Sequence, residues 1–225
     1  MHLPAAVLVA TRSAGKLREL LPWFSARNVM AESLDEAGLP ESEAENALEV
    51  FDTFEANALA KARWFHHVSG GRVVVSDDSG LEVEALADAP GVRSKRWSGR
   101  DDLDGAALDG ANNGLLLAKL ELAAATGLSS RRARYVCAAA CVWRGGEAVV
   151  RGTTTGVIAD RARGECGFGY DPYFVSDELG VTFGEATRDE KAKVSHRGRA
   201  FEQLIAVLDR MDQRAGIAIR GQDGG

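Results

Sequence analysis

Short apolar runs and amphipathic stretches alternate along the first half of the chain. Residues 5–11 (AAVLVAT) form a continuous apolar run of strand length, which predicts a buried strand, and a helix follows from about Gly15 to Ser25. Residues 52–68 (DTFEANALAKARWFHHV) carry apolar side chains at helical spacing and predict the next helix. A strand over 72–76 then leads into an acidic turn, Asp77-Asp78-Ser79-Gly80. This order of elements is typical of an α/β arrangement.

The second half repeats the alternation with longer elements. Residues 104–125 predict a helix, and residues 133–143 and 147–159 predict a long β-hairpin that turns at Gly145-Gly146. Residues 195–212 predict a C-terminal amphipathic helix. No internal repeat and no long linker interrupts the pattern, so we predict an α/β fold with a substantial sheet.

Length and composition are those of an ordinary globular protein. The 225 residues, 45% hydrophobic and 27% charged, suffice for one large domain or two small lobes. We expect a single two-lobed domain over residues 1–212, followed by a flexible tail over residues 213–225. No apolar run reaches the length of a membrane span, so no membrane partner is expected.

Charge and cysteine usage narrow the class further. The net charge of −6 at pH 7 disfavours a general affinity for nucleic acid, although a local basic cluster can still bind a phosphate ligand. The three cysteines, Cys137, Cys141 and Cys166, are odd in number and lack CxxC spacing. A disulfide framework or a zinc site is therefore not expected, and a reducing, cytoplasmic location fits best.

The loop between the first strand and the first helix is the first candidate for chemistry. Thr11–Lys16 (TRSAGK) places backbone N–H groups, two hydroxyls and a lysine at the start of a helix, an arrangement that suits an anion. The first glycine of GxxxxGK is missing, so this is not a Walker A loop. The alternative is an ordinary strand–helix turn with a solvated lysine.

The paired carboxylates Asp77 and Asp78 are the second candidate. Adjacent carboxylates repel by about 1 kcal/mol in water and roughly 4 kcal/mol near a protein surface at ~4 Å, so something must offset the repulsion. Magnesium prefers carboxylate oxygens, and a carboxylate can also activate water. The alternative is an Asx turn in which Gly80 supplies a positive φ.

The glycine-rich stretch CGFGYDPYF (166–174) is the third candidate. Gly167 and Gly169 allow the backbone a close approach around Phe168, whose ring can stack on a flat ligand. The alternative is a tight turn whose aromatic side chains lie in the core.

A basic cluster before the last helix is the fourth candidate. Lys191, Lys193, His196, Arg197 and Arg199 gather positive charge where it opposes the helix dipole, unless an anion is bound there; Ser195 can cap this helix. The alternative is a solvated charged face.

The combination resembles a known family. VLVATRSAGKLREL, TFEANALAKAR, SDDSGLEVEAL, APGVRSKRWSG, GFGYDPYF and EATRDEKAKVSHRGRAFEQL follow in the order found in the inosine triphosphate pyrophosphatase family. The resemblance covers about residues 7–210. It implies a long mixed β-sheet flanked by helices, with two lobes around a central cleft, and a homodimer. It also implies magnesium-dependent (Mg2+) hydrolysis of dITP, ITP and XTP to the monophosphate and pyrophosphate, which removes deaminated purines from the nucleotide pool.

The resemblance also assigns roles to positions of this chain. It makes Asp78 the general base and a metal ligand, with Asp77 beside it and Glu49 as the upstream metal ligand. Substrate contacts fall on two sets, the phosphate loop and the residues around the base: Thr11, Arg12, Ser13, Ala14, Gly15, Lys16, and Ser79, Phe168, Gly169, Tyr170, Asp171, Lys191, Ser195, His196, Arg197.

Two departures from the family pattern bear on the site. The family's Thr-Gly-Asn is here Thr11-Arg12-Ser13, so Arg12 either crowds the loop or adds charge to the triphosphate site. The family's Glu-Thr-Gly is here Glu49-Val50-Phe51, and nearby Glu45 leaves the register open.

Two rival functions stay open at this point. One is a pyrophosphatase for modified pyrimidine triphosphates on a similar fold. The other is a catalytically silent nucleotide sensor, which only the Arg12-Ser13 departure supports. The sensor must explain why Asp77, Asp78 and Glu49 all remain where oxygen ligands suit a metal.

Overall fold

The structure is a computed structural model that describes residues 6–220, with side chains described through residue 208. The chain forms two compact units. Unit 1 comprises the residues up to Asp78, Ala138–Gly152 and the residues from Arg199 onward. Unit 2 comprises Ser79–Cys137 and Thr153–Gly198.

Unit 1 contains the parallel strands of the sheet and two complete helices. Strand β1 (Ala6–Val9) pairs in parallel with both β2 (Met30–Ser33) and β3 (Val74–Val83), so that Leu8 opposes Val74 in the β1–β3 register. Aromatic rings fill its core, where Phe24 and Phe201 meet edge to face at 5.7 Å. Its elements in chain order are β1 (Ala6–Val9), α1 (Ala14–Ser25), β2 (Met30–Ser33), a 3-10 helix (Glu43–Ala47), α2 (Phe54–Val68) and the first half of β3 (Val74–Val83).

Unit 2 surrounds a second aromatic and aliphatic core. Leu116 and Leu120 of one long helix pack with Tyr135, Phe174 and Phe183. Its elements are the second half of β3, two 3-10 helices (Glu84–Leu86 and Gly91–Arg96), α3 (Gly105–Ala125), β6 (Phe174–Ser176) and α4 (Arg188–Val194).

Three further elements run through both units. Strands β4 (Arg132–Trp143) and β5 (Gly146–Ile158) and helix α5 (His196–Arg220) each divide between them. The six strands hydrogen-bond in the order β2-β1-β3-β4-β5-β6, and β5 pairs antiparallel with β6. The predicted α/β class with a mixed sheet is therefore confirmed. Among the described residues, no helix is both long and apolar enough to cross a membrane.

The acidic turn predicted after residue 76 is wrong, because β3 continues through it. Asp77-Asp78-Ser79-Gly80 all lie within the strand, which excludes the Asx turn. Strand β1 ends at Val9 and cannot pair with the second half of β3. The other neighbour of β3 is the twelve-residue strand β4, which allows β3 to continue. Leu81 and Val83, which follow the four residues, are both fully buried, and this burial favours an extended strand over a turn.

Two smaller predictions shift. The hairpin turns at Arg144-Gly145 rather than Gly145-Gly146, since Gly146 already belongs to β5. The ring of Trp143 covers this position, where a Cβ on Gly146 would lie 3.1 Å from the indole. The last helix extends to Arg220, beyond the predicted end at residue 212. The domain bounds and the flexibility of residues 213–225 stay predictions, and residues 221–225 lie outside the described residues.

Two leucines of α3 test the assignment of the unit 2 core. Leu116 is fully buried, whereas Leu122 of the same helix is 69% exposed. We expect Leu116→Ala to lower the free energy of unfolding by about 2–5 kcal/mol, because it removes buried methyl groups and leaves a cavity. Leu122→Ala, as the matched control, should change it by less than about 0.5 kcal/mol. Urea unfolding measures both, and equal losses would contradict the assignment.

Candidate active site

The loop Thr11–Lys16 connects β1 and α1 in unit 1, and we call it the phosphate loop after the role that the resemblance predicts for it. Ser13 caps α1, since its Oγ accepts the backbone N–H of Lys16 at 3.3 Å, and Thr11 Oγ1 accepts the N–H of Ser13 at 3.2 Å. The first turn of α1 contains no acidic residue. The helix start is therefore polar and capped, and its own first turn carries no negative charge that would oppose an anion.

Lys16 is not the solvated lysine of the alternative reading. Its Nζ donates to the backbone carbonyl of Asp77 at 3.1 Å and lies 3.1 Å from Asp77 Oδ2. The Asp77 side chain is fully buried. This pair joins the end of the phosphate loop to the middle of β3.

Arg12 takes a different place from the one expected. Its guanidinium binds Glu45, Asp35 and the carbonyl oxygen of Leu39, all in unit 1. It therefore neither crowds the loop nor leaves its charge uncompensated.

Asp78 is a buried carboxylate among charged neighbours. It is 7% exposed, and its Oδ2 accepts a hydrogen bond from Asn57 Nδ2 at 2.9 Å. Burial raises the pKa of Asp78 above its ordinary value, and the nearby Glu49 raises it further. Lys16 and Lys61 oppose this rise and lower the pKa, as does the bond from Asn57. The site thus combines a desolvated carboxylate with two cations that favour its charged form.

The contacts of Glu49 differ from those of Glu45. Glu49 forms an ion pair with Lys61 of α2 and acts electrostatically on Asp78. Glu45, in contrast, is bound by Arg12. Glu49 is therefore the one of these two glutamates for which an electrostatic effect on Asp78 is seen among the described residues.

The predicted set of three metal-binding carboxylates is not gathered. In the described part of the chain, no group of three or more His, Cys, Asp or Glu side chains is placed to hold a metal ion. Successive side chains of a strand point to opposite faces, so Asp77 and Asp78 diverge, and Asp77 pairs with Lys16 instead. Asp78 and Glu49 remain as two oxygen donors. This set fits magnesium, which is typically held by one or two carboxylates together with waters and substrate phosphates.

Asn57 and Lys61 were missed by the sequence analysis. Both are nearly fully buried on α2, beside the apolar side chains of Ala58, Ala62 and Phe65. A lysine and an asparagine on the buried stripe of an amphipathic helix were the available signal, because such residues are almost never buried without a partner.

In unit 2, Asp171 is the centre of a hydrogen-bond network. Its Oδ2 accepts from the backbone N–H of Phe168 at 2.8 Å and from Lys191 Nζ at 2.7 Å, and its Oδ1 accepts from the Tyr135 hydroxyl at 3.2 Å. It is 2% exposed. Asp171 therefore holds Phe168 and Lys191 in place.

The basic cluster is largely buried, so the solvated-face interpretation is wrong for most of it. Lys191, His196 and Arg197 are each at most 6% exposed, whereas Lys193 is exposed as that interpretation required. Lys191 Nζ lies 5.2 Å from the centroid of the half-buried Phe168 ring, and Arg197 Cζ lies 5.9 Å from it. Buried cations of this kind need partners, and these have an aromatic ring in common.

The start of α5 arranges three predicted residues. Ser195 caps the helix, as its Oγ accepts the N–H of Gly198 at 3.1 Å. The His196 ring stacks on Tyr135 with centroids 4.6 Å apart. Arg197 Nη2 donates to Ser79 Oγ at 2.8 Å. The cap, the imidazole and the guanidinium are thus each held by another residue of unit 2.

Tyr170 follows the core interpretation rather than the ligand-binding one. It is 4% exposed, and its hydroxyl donates to the carbonyl oxygen of Ser94 at 2.8 Å. Burial raises the pKa of Tyr170, so this hydroxyl stays protonated.

Asp109 and Asn113 of α3 were also missed. Asp109 Oδ2 accepts the backbone N–H of Gly169 at 2.7 Å, and Asn113 Nδ2 donates to the Gly169 carbonyl oxygen at 2.9 Å. They hold Gly169, the residue next to Phe168, from both sides. Polar residues at i and i+4 of an otherwise apolar helix were the available signal.

Comparison with known proteins supports the class that these features define, an α/β protein with an anion-binding loop and a buried carboxylate. A sequence model of the Ham1 family matches residues 7–207. The chain is 44% identical over 208 residues to a dITP/XTP pyrophosphatase of Exiguobacterium sibiricum, covering 90% of this chain and 96% of the relative. It is 45% identical over 214 residues to a dITP/XTP pyrophosphatase of Nocardia farcinica, covering 93% and 98%.

Solved structures agree. A HAM1 protein from Coxiella burnetii matches with a TM-score of 0.75 at 32% identity, over 91% of this chain and 98% of that one. A nucleoside-triphosphatase / dITP/XTP pyrophosphatase from Mycobacterium abscessus matches with a TM-score of 0.63 at 43% identity, over 88% and 98%. The chain therefore belongs to the Ham1 family, and the resemblance found in the sequence is confirmed.

Two glycines of the Phe168 loop test how tightly it is built. Gly167 and Gly169 both have positive φ, but only at Gly167 would a Cβ lie 2.0 Å from Asp171 Oδ2. We expect Gly169→Ala to cost about 1–2 kcal/mol of unfolding free energy from backbone strain alone. Gly167→Ala should cost about 1–3 kcal/mol more, because three donors hold the Asp171 carboxylate where the new methyl group must fit. Urea unfolding of both variants measures the difference, and equal costs would mean that the carboxylate moves freely.

Proposed function

We propose that this protein hydrolyses the deaminated purine nucleoside triphosphates dITP, XTP and ITP to the monophosphate and pyrophosphate. The observation that carries the proposal is the buried carboxylate of Asp78, coupled to Lys16 of the phosphate loop and to Lys61 and Glu49. Membership of the Ham1 family and relatives named dITP/XTP pyrophosphatase at 44–45% identity support it.

The chemistry assigned to unit 1 is the attack of water on the α-phosphorus. Asp78 takes a proton from the attacking water, a P–O bond forms to the α-phosphorus, and the bond to the oxygen bridging the α- and β-phosphorus breaks. Pyrophosphate leaves with that electron pair. Lys16 and the N–H groups at the start of α1 stabilise the negative charge, so that positioning and electrostatics supply most of the rate.

Asp78 and Glu49 would hold a divalent cation, for which magnesium is the proposed ion. When bound, it supplies positive charge against the phosphate oxygens and assists activation of water. In the structure, Lys61 pairs with Glu49 and lowers the pKa of Asp78, so it favours the charged form of Asp78 that a cation requires.

The role assigned to unit 2 is recognition of the base. Phe168 offers a half-buried ring for stacking, with Lys191 and Arg197 near it. Ser195, His196 and Arg197 supply donors that suit an oxygen on C6 of the purine. An amino group there leaves such donors unpaired, and a site built on hydrogen bonds can reject such an analogue by about 10⁴–10⁵. Guanine shares the C6 oxygen with hypoxanthine, so rejection of guanine must depend on C2.

The assembly and location stay predictions. We propose a homodimer that works in the cytoplasm, with no nucleic-acid or membrane partner. The net charge of −6 supports the absence of a nucleic-acid partner.

The substrate test is pyrophosphate release from dITP, XTP, ITP, dATP, dGTP, dUTP and methylated pyrimidine triphosphates, each with Mg2+ and with EDTA. We expect release from the first three alone, and its loss in EDTA. Preferential release from pyrimidine triphosphates would favour the pyrimidine enzyme. Tight binding of dITP without release would favour the silent sensor.

The general-base assignment is tested by Asp78→Asn. The amide keeps the shape of the side chain but cannot accept a proton, so we expect turnover of dITP to fall by about 10²–10⁴. Asp101→Asn, at an exposed aspartate, is the control for the charge change and should keep full turnover. Circular dichroism and thermal unfolding verify that both variants fold. Near wild-type turnover in folded Asp78→Asn would exclude Asp78 as the base.

A further inference from the structure

Arg12 forms a paired ionic contact with Glu45, which precedes Glu49 in the chain. Its Nε donates to Glu45 Oε2 at 3.1 Å and its Nη2 to Glu45 Oε1 at 2.8 Å, which is the two-pronged geometry of a strong arginine–carboxylate pair. Nη2 also donates to the carbonyl oxygen of Leu39, and Nη1 donates to Asp35, both at 2.9 Å. The Arg12 and Glu45 side chains are only 21% and 14% exposed, so solvent screens this pair less than a surface pair.

The segment that Arg12 binds has no fully buried hydrophobic side chain. Residues 41–53 include the 3-10 helix Glu43–Ala47 and Glu49, and their most covered apolar side chains, such as Leu48, are only half-buried. Such a stretch gains little from apolar burial, so its position depends strongly on polar contacts. These polar contacts include the pair Arg12–Glu45 and the pair Lys61–Glu49. Asn57 adds two hydrogen bonds: its Oδ1 accepts the backbone N–H of Phe51, and its Nδ2 donates to the Phe51 carbonyl oxygen.

Glu45 takes part in two contacts, one with Arg12 and one within its own 3-10 helix. The Oε1 that binds Arg12 also accepts the backbone N–H of Ser42 at 3.1 Å, which completes the capping box of the 3-10 helix. Arg12 therefore connects the phosphate loop to the start of the helix that precedes Glu49. Loss of Arg12 or of Glu45 therefore breaks the connection between the phosphate loop and the 3-10 helix.

A direct contact of Arg12 with the triphosphate conflicts with this geometry. Four of the five N–H groups of its guanidinium already donate to protein oxygens. Two carboxylates also compensate its charge. To reach a phosphate, Arg12 must first break the pair with Glu45.

We propose that Arg12 is a positioning residue, whose pair with Glu45 fastens residues 41–49 to the phosphate loop and so keeps Glu49 beside Asp78. The proposal rests on the proposed function for its effect on catalysis, but the tether itself does not depend on that function. Under this proposal, Arg12 positions Glu49 instead of making the direct contact with the triphosphate that the resemblance in the sequence predicts.

The test uses the full chain, four single variants and the double variant that combines Arg12→Ala with Glu45→Gln. Arg12→Ala removes the tether. Glu45→Gln removes its charge but keeps the capping box, in which Gln can replace Glu. Arg12→Lys keeps the charge but cannot form two parallel bonds. Glu43→Gln, at an exposed glutamate of the same 3-10 helix, is the matched control.

Hydrogen exchange of residues 39–49 is the first readout, because it needs neither substrate nor activity. We expect faster exchange in Arg12→Ala and Glu45→Gln, a smaller increase in Arg12→Lys, and no change in Glu43→Gln. Wild-type exchange in Arg12→Ala and Glu45→Gln would overturn the tether. This readout also separates the two proposals. If the wild-type protein released no pyrophosphate, the proposed function would be refuted, but the exchange rates would still test the tether.

The kinetics of dITP hydrolysis are the second readout. We expect Arg12→Ala and Glu45→Gln each to raise KM about tenfold, since loss of a charge-assisted pair changes an equilibrium constant by about that factor. The double variant should be no worse than either single variant, because both remove one contact. A direct phosphate contact predicts the opposite pattern for Glu45→Gln, with an unchanged or lower KM, and that outcome would refute the positioning role.

Discussion

The continuity of β3 through four polar residues is the constraint on which the site in unit 1 depends. Because the strand does not turn after Ser76, Asp77 and Asp78 project to opposite faces. Asp77 then meets Lys16 and secures the phosphate loop, while Asp78 meets Asn57 of α2 and the charges of Lys61 and Glu49. The repulsion between the Asp77 and Asp78 carboxylates is thus reduced in two ways. The side chains point to opposite faces of the strand, and each has its own set of partners.

Buried charge is compensated by the same logic in unit 2. Asp171 and Lys191 are both buried and paired, and the same carboxylate accepts the N–H of Phe168. A buried pair of this kind is costly to break, because removing one member leaves the other charged and desolvated. The stacking ring is therefore held by electrostatics, and α3 adds a second restraint through Asp109 and Asn113 on Gly169.

The two carboxylates assigned to the cation are supported in different ways. Asp78 belongs to a central strand and is nearly fully buried, so its position is fixed by the sheet. Glu49 belongs to a segment without buried side chains, whose position depends on ionic contacts. Small polar changes in the phosphate loop can therefore act on Glu49 while leaving Asp78 in place. This difference explains how the loop can carry Arg12 while the strand that holds Asp78 stays in place.

The sequence by itself determined the α/β class, the strand–loop–helix at Thr11–Lys16, the cap at Ser195 and the family, because each depends on local pattern or short-range capping. Only the tertiary structure decided that β3 continues, since that depends on pairing with β4, more than fifty residues along the chain. It likewise decided that Glu49 acts electrostatically on Asp78 while Glu45 binds Arg12, and that Asn57, Lys61, Asp109 and Asn113 take part. These outcomes follow from long-range pairing of buried charges and amides, and no local pattern records which distant partner a polar side chain will meet.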